Sequence, residues 1–310
     1  MALQIELIAW GGWPNCYRIF NGTVELIVTT DVGPQILSYR FENSTNVFKV
    51  FEEHLGKCGG QDWHLRGGHR LWMAPEDRVA SYSRDNFPVD AQVKDHALTV
   101  TTDVDSNSGL RKQMVIRMDE QGSGVSVTHR IQNCREAPWA FAIWALTVMA
   151  PGGVAVTGFP PRARHEDALL PTNPLVMWAF TDMSDPRWTF FEKYLVLRQD
   201  PLVTNPTKLG HFNRKTWGAY FLGEQLFLKR YDADPARPYP DFGCSYETFT
   251  CATMLEIETL GPLEMVAPGC WIEQTEHWSL HNANLSSISA DAIDQAMQPL
   301  LETWLQEGTR

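Results

Sequence analysis

The sequence predicts an all-β fold, a sandwich or barrel of antiparallel strands with a helix at its C-terminus. Three observations carry that reading. Short runs of alternating or β-branched residues follow one another at close spacing, separated by Gly, Asn and Pro turn signals. Strands alternating with long amphipathic helices are missing, which argues against a parallel α/β sheet. The 310 residues hold no Gly/Ser linker, no shift in composition and no internal repeat, so the chain reads as one domain over 1–310.

The elements follow in order. Val24-Glu-Leu-Ile-Val-Thr-Thr30 is β-branched and is stopped by Asp31-Val-Gly-Pro34. Gln35 to Phe41 forms the next run, and Ala97 to Val104 alternates. Arg111 to Met118 comes after the turn signal Asn107-Ser-Gly109. In the following run Val125, Val127, His129 and Ile131 share one face, with Ser126, Thr128 and Arg130 on the other. Residues 160–213 are broken repeatedly by proline and read as a decorated loop region or a rim over a cleft. Near the end, Ser289 is a fair N-cap, and Ile293, Met297, Leu300, Leu301 and Trp304 recur at helical spacing over about 289–306. Pro299 either kinks this helix or begins a second one.

Composition narrows the function classes. A net charge of −11 repels phosphate backbones and anionic membranes, and the one small basic cluster is Arg162, Arg164 and His165. The longest apolar run, Trp139 to Ala150, is about half of what a spanning helix needs. The start, Met1 to Trp10, lacks the basic region of an export signal. Six cysteines without CxxC spacing read as free thiols, which suits the cytoplasm. Tryptophan is the outlier, with 12 residues, and an open tryptophan face is a good platform for sugar rings.

Three segments could carry chemistry. Leu65-Arg-Gly-Gly-His-Arg-Leu-Trp-Met-Ala-Pro-Glu76 gathers Arg66, His69, Arg70, Trp72 and Glu76 around two glycines that let a backbone approach closely. These are the residue types of a sugar site, and equally those of a turn with surface charges. In Met254-Leu-Glu-Ile-Glu-Thr-Leu-Gly-Pro262, period two sets Leu255 and Ile257 on one face and Glu256 and Glu258 on the other, about 7 Å apart along a strand. Such a pair in a dry cleft raises one carboxyl toward the range of a general base, whereas on an open strand it is a solvated polar face. In Pro268 to Leu280, Glu276 and Trp278 share one face, with Glu273, His277 and His281 on the other. The spacing of His277 and His281 would suit zinc on a helix but means nothing on a strand, so no metal is expected. Nor is a nucleotide or other cofactor: no Walker A loop, GxGxxG opening a helix or GxSxG elbow occurs.

At this point the segments resemble a known group. Arg66-Gly-Gly-His-Arg-Leu-Trp-Met-Ala-Pro75 resembles a stretch of hexose-6-phosphate mutarotases. Leu255-Glu-Ile-Glu-Thr-Leu-Gly-Pro262 resembles the late strand of aldose 1-epimerases that presents the catalytic glutamate. Together with Pro268-Gly and Glu276-His-Trp-Ser-Leu280, they are similar to a bacterial family in the galactose mutarotase-like superfamily. The resemblance implies a β-supersandwich of two large, mostly antiparallel sheets, one of them concave and cradling a sugar or oligosaccharide. It implies Glu258 as the base that takes the anomeric proton, with Glu256 as the alternate register, and Arg66 and His69 at the sugar-contacting loop. The mid-chain strand that carries the acid histidine in those enzymes corresponds to Phe141–Gly153, which has Trp144 and no histidine. His69 or His129 would then have to supply the acid.

The expected function is therefore carbohydrate binding, with aldose 1-epimerase activity through Glu258, Glu256 and His69 as its enzymatic form. Arg66, Arg70, Trp72, Glu76, Trp144, Glu276 and Trp278 are the expected sugar contacts. A non-catalytic carbohydrate-binding module is the alternative, and a polysaccharide lyase or hydrolase relative is the third reading.

Overall fold

Alternating runs become strands, and the parity of each run decides which side chains meet. In the computed structural model, which describes residues 2–83, 85–160 and 162–307 (side chains through 302), the strands are as follows. The first half holds β1 (Gln4–Trp10), β2 (Trp13–Phe20), β3 (Val24–Thr29), β4 (Gln35–Phe41), β5 (Gly68–Ala74), β6 (Asp90–Lys94), β7 (Ala97–Thr101), β8 (Leu110–Met118), β9 (Val125–Asn133), β10 (Trp139–Met149) and β11 (Val154–Gly158). The second half holds β12 (Leu175–Met177), β13 (Trp188–Phe190), β14 (Tyr194–Arg198), β15 (Thr207–His211), β16 (Trp217–Leu222), β17 (Gln225–Tyr231), β18 (Tyr246–Cys251), β19 (Met254–Leu260), β20 (Glu264–Val266) and β21 (Trp271–Asn282).

They form two large antiparallel sheets. The first runs β1-β2-β3-β4-β5-β10-β19-β18-β15-β12, with β20 paired to β10. The second runs β13-β14-β11-β16-β17-β21-β9-β8-β7-β6. The expected sandwich is therefore present. The main core lies between the sheets and takes the inward halves of the alternating runs: Val125, Val127 and Ile131 from β9, Leu255 and Ile257 from β19, Leu71 and Met73 from β5. The stretch 160–213 is more ordered than its prolines suggest, because four short strands, β12 to β15, interrupt it.

The C-terminal helix, Ala290–Glu307, continues through Pro299 rather than dividing. Ser289 caps it: its hydroxyl accepts the Ala292 N–H at 3.3 Å. Ile293 and Met297 pack on the outer face of the second sheet with Val156, Val196, Trp217 and Leu228. Trp304 lies outside the described side chains. Among the described residues no helix is long and apolar enough to cross a membrane. All six cysteines are free thiols.

Candidate functional site

Three long strands of the first sheet, β5, β10 and β19, lie side by side, and β18 and β15 continue them. Register sets the rows across their outward face. Trp72 stands opposite Trp144, and Trp144 opposite Leu260. In the next row Arg70, Leu146, Glu258, Glu247 and Gly210 are successive partners. In the third, Glu256, Phe249 and Lys208 follow one another. This face is the floor of a cleft of about 330 Å³ walled by Trp63, Tyr82, Trp178 and Phe180. That volume sits at the low end for small-molecule sites.

Glycine makes this geometry possible at two places. At Gly67 and Gly68, φ is +88° and +65°, and a Cβ would stand 2.0 Å from the Lys49 carbonyl oxygen and 2.1 Å from that of Ile36. Only glycine lets β5 enter the sheet there. At Gly210 a Cβ would meet Glu247 at 3.0 Å and Trp178 at 3.1 Å, so the missing side chain leaves room for a floor carboxyl and a wall indole.

The aromatic walls are braced against one another. Trp72 makes edge contacts with Trp63 at 5.3 Å and Trp144 at 5.5 Å, and Tyr82 packs on Trp72 at 4.8 Å. The protein's own cations lie on the same rings. Arg70 sits over Trp72 at 4.7 Å, and Lys208 lies near both Trp144 and Trp178, at 4.8 and 4.6 Å.

The charges of the floor are coupled. The Lys208 ammonium meets Glu247 at 2.6 Å and Glu258 at 2.9 Å. Trp144 Nε1–H also donates to Glu258, at 2.9 Å. Burial alone would depress the Lys208 ammonium, but the two carboxylates outweigh it and hold it above its ordinary value. Burial pushes Glu247 well up, and Glu258 adds to this, because two carboxyls share one ammonium. Glu256 is raised by burial too, against the pull of Arg70 at 2.9 Å. The buried polar atoms of this floor that meet no partner within the protein are Arg70 Nε and Nη1, Trp72 Nε1 and Glu258 Oε1. The Glu247–Lys208 and Arg70–Glu256 contacts are close ion pairs outside hydrogen-bond alignment.

The structure separates the residues singled out from sequence into two groups. Arg70, Trp72, Trp144, Glu256 and Glu76 line the cleft, and Glu258 lies in its floor beneath Lys208 and Trp144. Glu76 is on the rim, where its carboxylate accepts the Tyr82 hydroxyl at 2.6 Å. His69, Glu276 and Trp278 are elsewhere. His69 alternates with Arg70 along β5, so it points through the sheet into the sandwich interior, where Glu276 and Trp278 also lie. The expectation that Glu276 and Trp278 contact the sugar is thus corrected: β21 belongs to the other sheet and presents that face inward. Arg66, expected at the sugar-contacting loop, is buried and donates to Asn86 Oδ1 at 2.7 Å and the Asp85 carbonyl at 3.4 Å. Sequence reasoning missed Lys208, Glu247, Trp178, Phe180 and Trp63. Glu247 had a signal, since Tyr246-Glu-Thr-Phe-Thr-Cys251 alternates as Met254–Leu260 does.

The interior group forms a network of its own. His129 Nδ1–H donates to the Gln274 carbonyl at 3.2 Å, which leaves its Nε2 to accept from His69 Nε2–H at 2.6 Å. His69 Nδ1 in turn accepts the Thr147 hydroxyl at 2.8 Å. Glu276 takes Lys229 at 2.9 Å, Trp278 Nε1–H at 2.8 Å and the Thr259 hydroxyl. Burial holds His69 well below the ordinary imidazole range and His129 down to about 4. The ligating atoms of His69, His129 and Glu276 lie within 4.8 Å of one another. A divalent cation fits them poorly. Lys229 already neutralises Glu276, and two more positive charges would have no counter-ion in this dry core.

A smaller depression of about 170 Å³, lined by Asp85 and Lys112, lies outside the cleft. Its ammonium is already engaged by Ser83 at 2.9 Å and Asp85 at 3.1 Å.

No protein-family model and no curated protein sequence matches the chain. Solved structures do. A Synechocystis protein superposes with a TM-score of 0.58 at 11% identity, covering 89% of this chain and 99% of its own. A galactose mutarotase-like protein from Lactobacillus casei gives 0.56 at 10% identity, with 86% and 100% covered. A galactose mutarotase related enzyme from Lactobacillus acidophilus gives 0.54 at 8% identity, with 87% and 98% covered. The chain has the galactose mutarotase-like fold.

Proposed function

We propose that this protein binds a carbohydrate in the tryptophan-walled cleft of its first sheet. The observation that carries the reading is the pairing of aromatic plates with buried donors that the fold itself does not use. Trp63 and Trp178, half-buried on the walls, offer aromatic surface to a sugar ring. Beside them Arg70 Nε and Nη1 and Trp72 Nε1 can donate to hydroxyl oxygens, and the Glu256 carboxylate, held by Arg70 at 2.9 Å, can accept hydroxyl protons. A hydroxyl both donates and accepts, so one group can answer the free donors and the carboxylate together. A cytoplasmic setting belongs to this reading and is supported by the free thiols.

A second reading makes the protein an aldose 1-epimerase, and the Glu247–Lys208–Glu258 cluster favours it. Glu258, held by Trp144 and Lys208, would take the anomeric proton. Glu247, whose proton is held more tightly because of burial and its neighbour, would protonate the ring oxygen. The bond from C1 to the ring oxygen then breaks, the aldehyde rotates, and reclosure on the other face returns both protons. Both carboxyls lie beneath Lys208, so this chemistry requires the lysine side chain to turn aside. It replaces the expected acid, His69, which the sheet separates from the cleft.

Calorimetric titration with glucose, galactose and short oligosaccharides tests binding, and polarimetry on fresh α-glucose and α-galactose tests turnover. Saturable binding without faster mutarotation supports the binding module. Faster mutarotation that is lost in Glu258→Gln supports the epimerase. Absence of both removes the proposal.

A further inference from the structure

The cleft has two unlike halves. The free donors of its floor, Arg70 Nε and Nη1 and Trp72 Nε1, all lie on β5. Three strand spacings away, about 14 Å between backbones, β18 presents Phe249 to the same cleft. Phe180 packs edge-on to Phe249 at 6.3 Å, and Met254, two residues before Glu256 on β19, lines the cleft as well. These three side chains offer no strong donor or acceptor. Lys208, the ladder partner of Phe249, is committed to Glu247 and Glu258. β18 also runs against the usual order of a sheet that is open on one side, apolar toward the core and polar outward. Its buried, core-facing residues include Thr248 and Thr250, whose hydroxyls donate to the Glu256 and Met254 carbonyls at 2.8 and 2.9 Å. Its large apolar residue on the outward face is Phe249, half-buried, and the Phe180 packed on it is 44% exposed. Aromatic surface set on the open face of a sheet, within a cleft, is explained by what covers it.

We propose that the ligand of the cleft is a sugar with an apolar aglycone, an aryl or alkyl glycoside whose ring meets Arg70 and Glu256 and whose aglycone lies on Phe249, Phe180 and Met254. This rests on the carbohydrate-binding reading and names the class of sugar. Glu256 stands between the halves, 2.9 Å from Arg70 on one side and in register with Phe249 on the other. A ring held by Arg70 and Glu256 can therefore turn a substituent onto β18. A second sugar ring is a poorer occupant of that half, because its hydroxyls would leave water and find no free partner there. A charged substituent meets the same obstacle at a higher cost. An apolar group gives up no hydrogen bond and takes the Phe249 and Phe180 surfaces out of water. A glycoside has no free anomeric hydroxyl, so such a ligand is held without ring opening.

The test is calorimetric titration of the whole chain, with every ligand kept below micelle-forming concentrations. The ligands are glucose and galactose, their methyl, phenyl and hexyl glycosides in both anomers, and phenol and hexanol alone. For at least one sugar and anomer, the phenyl or hexyl glycoside is expected to bind at least roughly tenfold tighter than the methyl glycoside. That gain corresponds to roughly 55 Å² of apolar surface leaving water. Phe180→Ser is expected to shrink the ratio, whatever it does to methyl glycoside affinity. Arg70→Met is expected to weaken all the glycosides alike and to leave the ratio standing. Phenyl and hexyl glycosides no tighter than the methyl ones, or a ratio unmoved by Phe180→Ser, overturns the apolar half and leaves the sugar site standing. Phenol and hexanol binding as tightly as their glycosides removes the sugar from the cleft and the proposal with it, as does binding of none of the ligands.

Discussion

The two buried polar networks of this protein lie on opposite sides of the first sheet and differ in one respect. Between the sheets, His69, His129, Glu276 and Lys229 are satisfied by one another and by Thr147, Gln274, Thr259 and Trp278. In the cleft, Arg70 Nε and Nη1, Trp72 Nε1 and Glu258 Oε1 are polar atoms that nothing in the protein answers. A saturated network holds two sheets in register. An unsaturated one costs free energy in the fold and is explained by what it can bind. Polar composition does not tell them apart; both mix carboxylates, cations and indoles. What differs is the accounting of partners.

The largest expected effect breaks the interior side of the comparison. Lys229→Met strands the Glu276 carboxylate in a dry core and should cost about 3–5 kcal/mol of stability by urea denaturation. Adding Glu276→Gln should recover much of the loss, since the pair then carries no unpaired charge. A single variant as stable as wild type would mean that the network does not hold the sheets.

Next in size is a pH effect from the same network. The His129 imidazole is depressed to about 4 in the folded protein, chiefly by burial, with Lys229 adding to the depression and Glu276 opposing it. In the unfolded chain it titrates near 6.5. Between those values the unfolded state binds a proton that the folded state refuses, so this stabilisation is full above about pH 6.5 and is lost as pH falls toward 4. The integrated effect is on the order of 3 kcal/mol at most. Thermal melts of wild type and His129→Gln across that window should show a shallower fall for the variant. Parallel curves would remove His129 as the cause.

The smallest effect on the fold falls on the cleft side. Arg70→Met should weaken sugar binding by roughly 10–100-fold, because its donors act on a ligand, while destabilising the protein less than Lys229→Met does. Glu256 can take up a proton when Arg70 is gone, which limits the penalty. Equal losses of stability in the two variants would erase the distinction between the networks.

Much of this was legible in the sequence, and the limits have physical causes. Period two placed Glu256 and Glu258 together and set Leu255 and Ile257 against the core, as found. The glycine pair at the start of β5 was read as a close backbone approach, and the Lys49 and Ile36 carbonyls supply it. Alternation alone could not say which face of a strand buried on both sides is the cleft, so His69 and Arg70 were grouped although the sheet divides them. The same ambiguity misplaced Glu276 and Trp278, whose shared face was right and whose side of the sandwich was not. Lys208 and Trp178 come from a proline-broken stretch whose strands are too short to show a period.

The most direct test of the account is a crystal structure with the tightest-binding sugar of the titration panel. The expected result is the ring against Trp63 or Trp178, with hydroxyls within hydrogen-bond distance of Arg70 Nε or Nη1 and of the Glu256 carboxylate. A sugar seated instead in the depression by Lys112 and Asp85, with the cleft of the first sheet untouched, would contradict it.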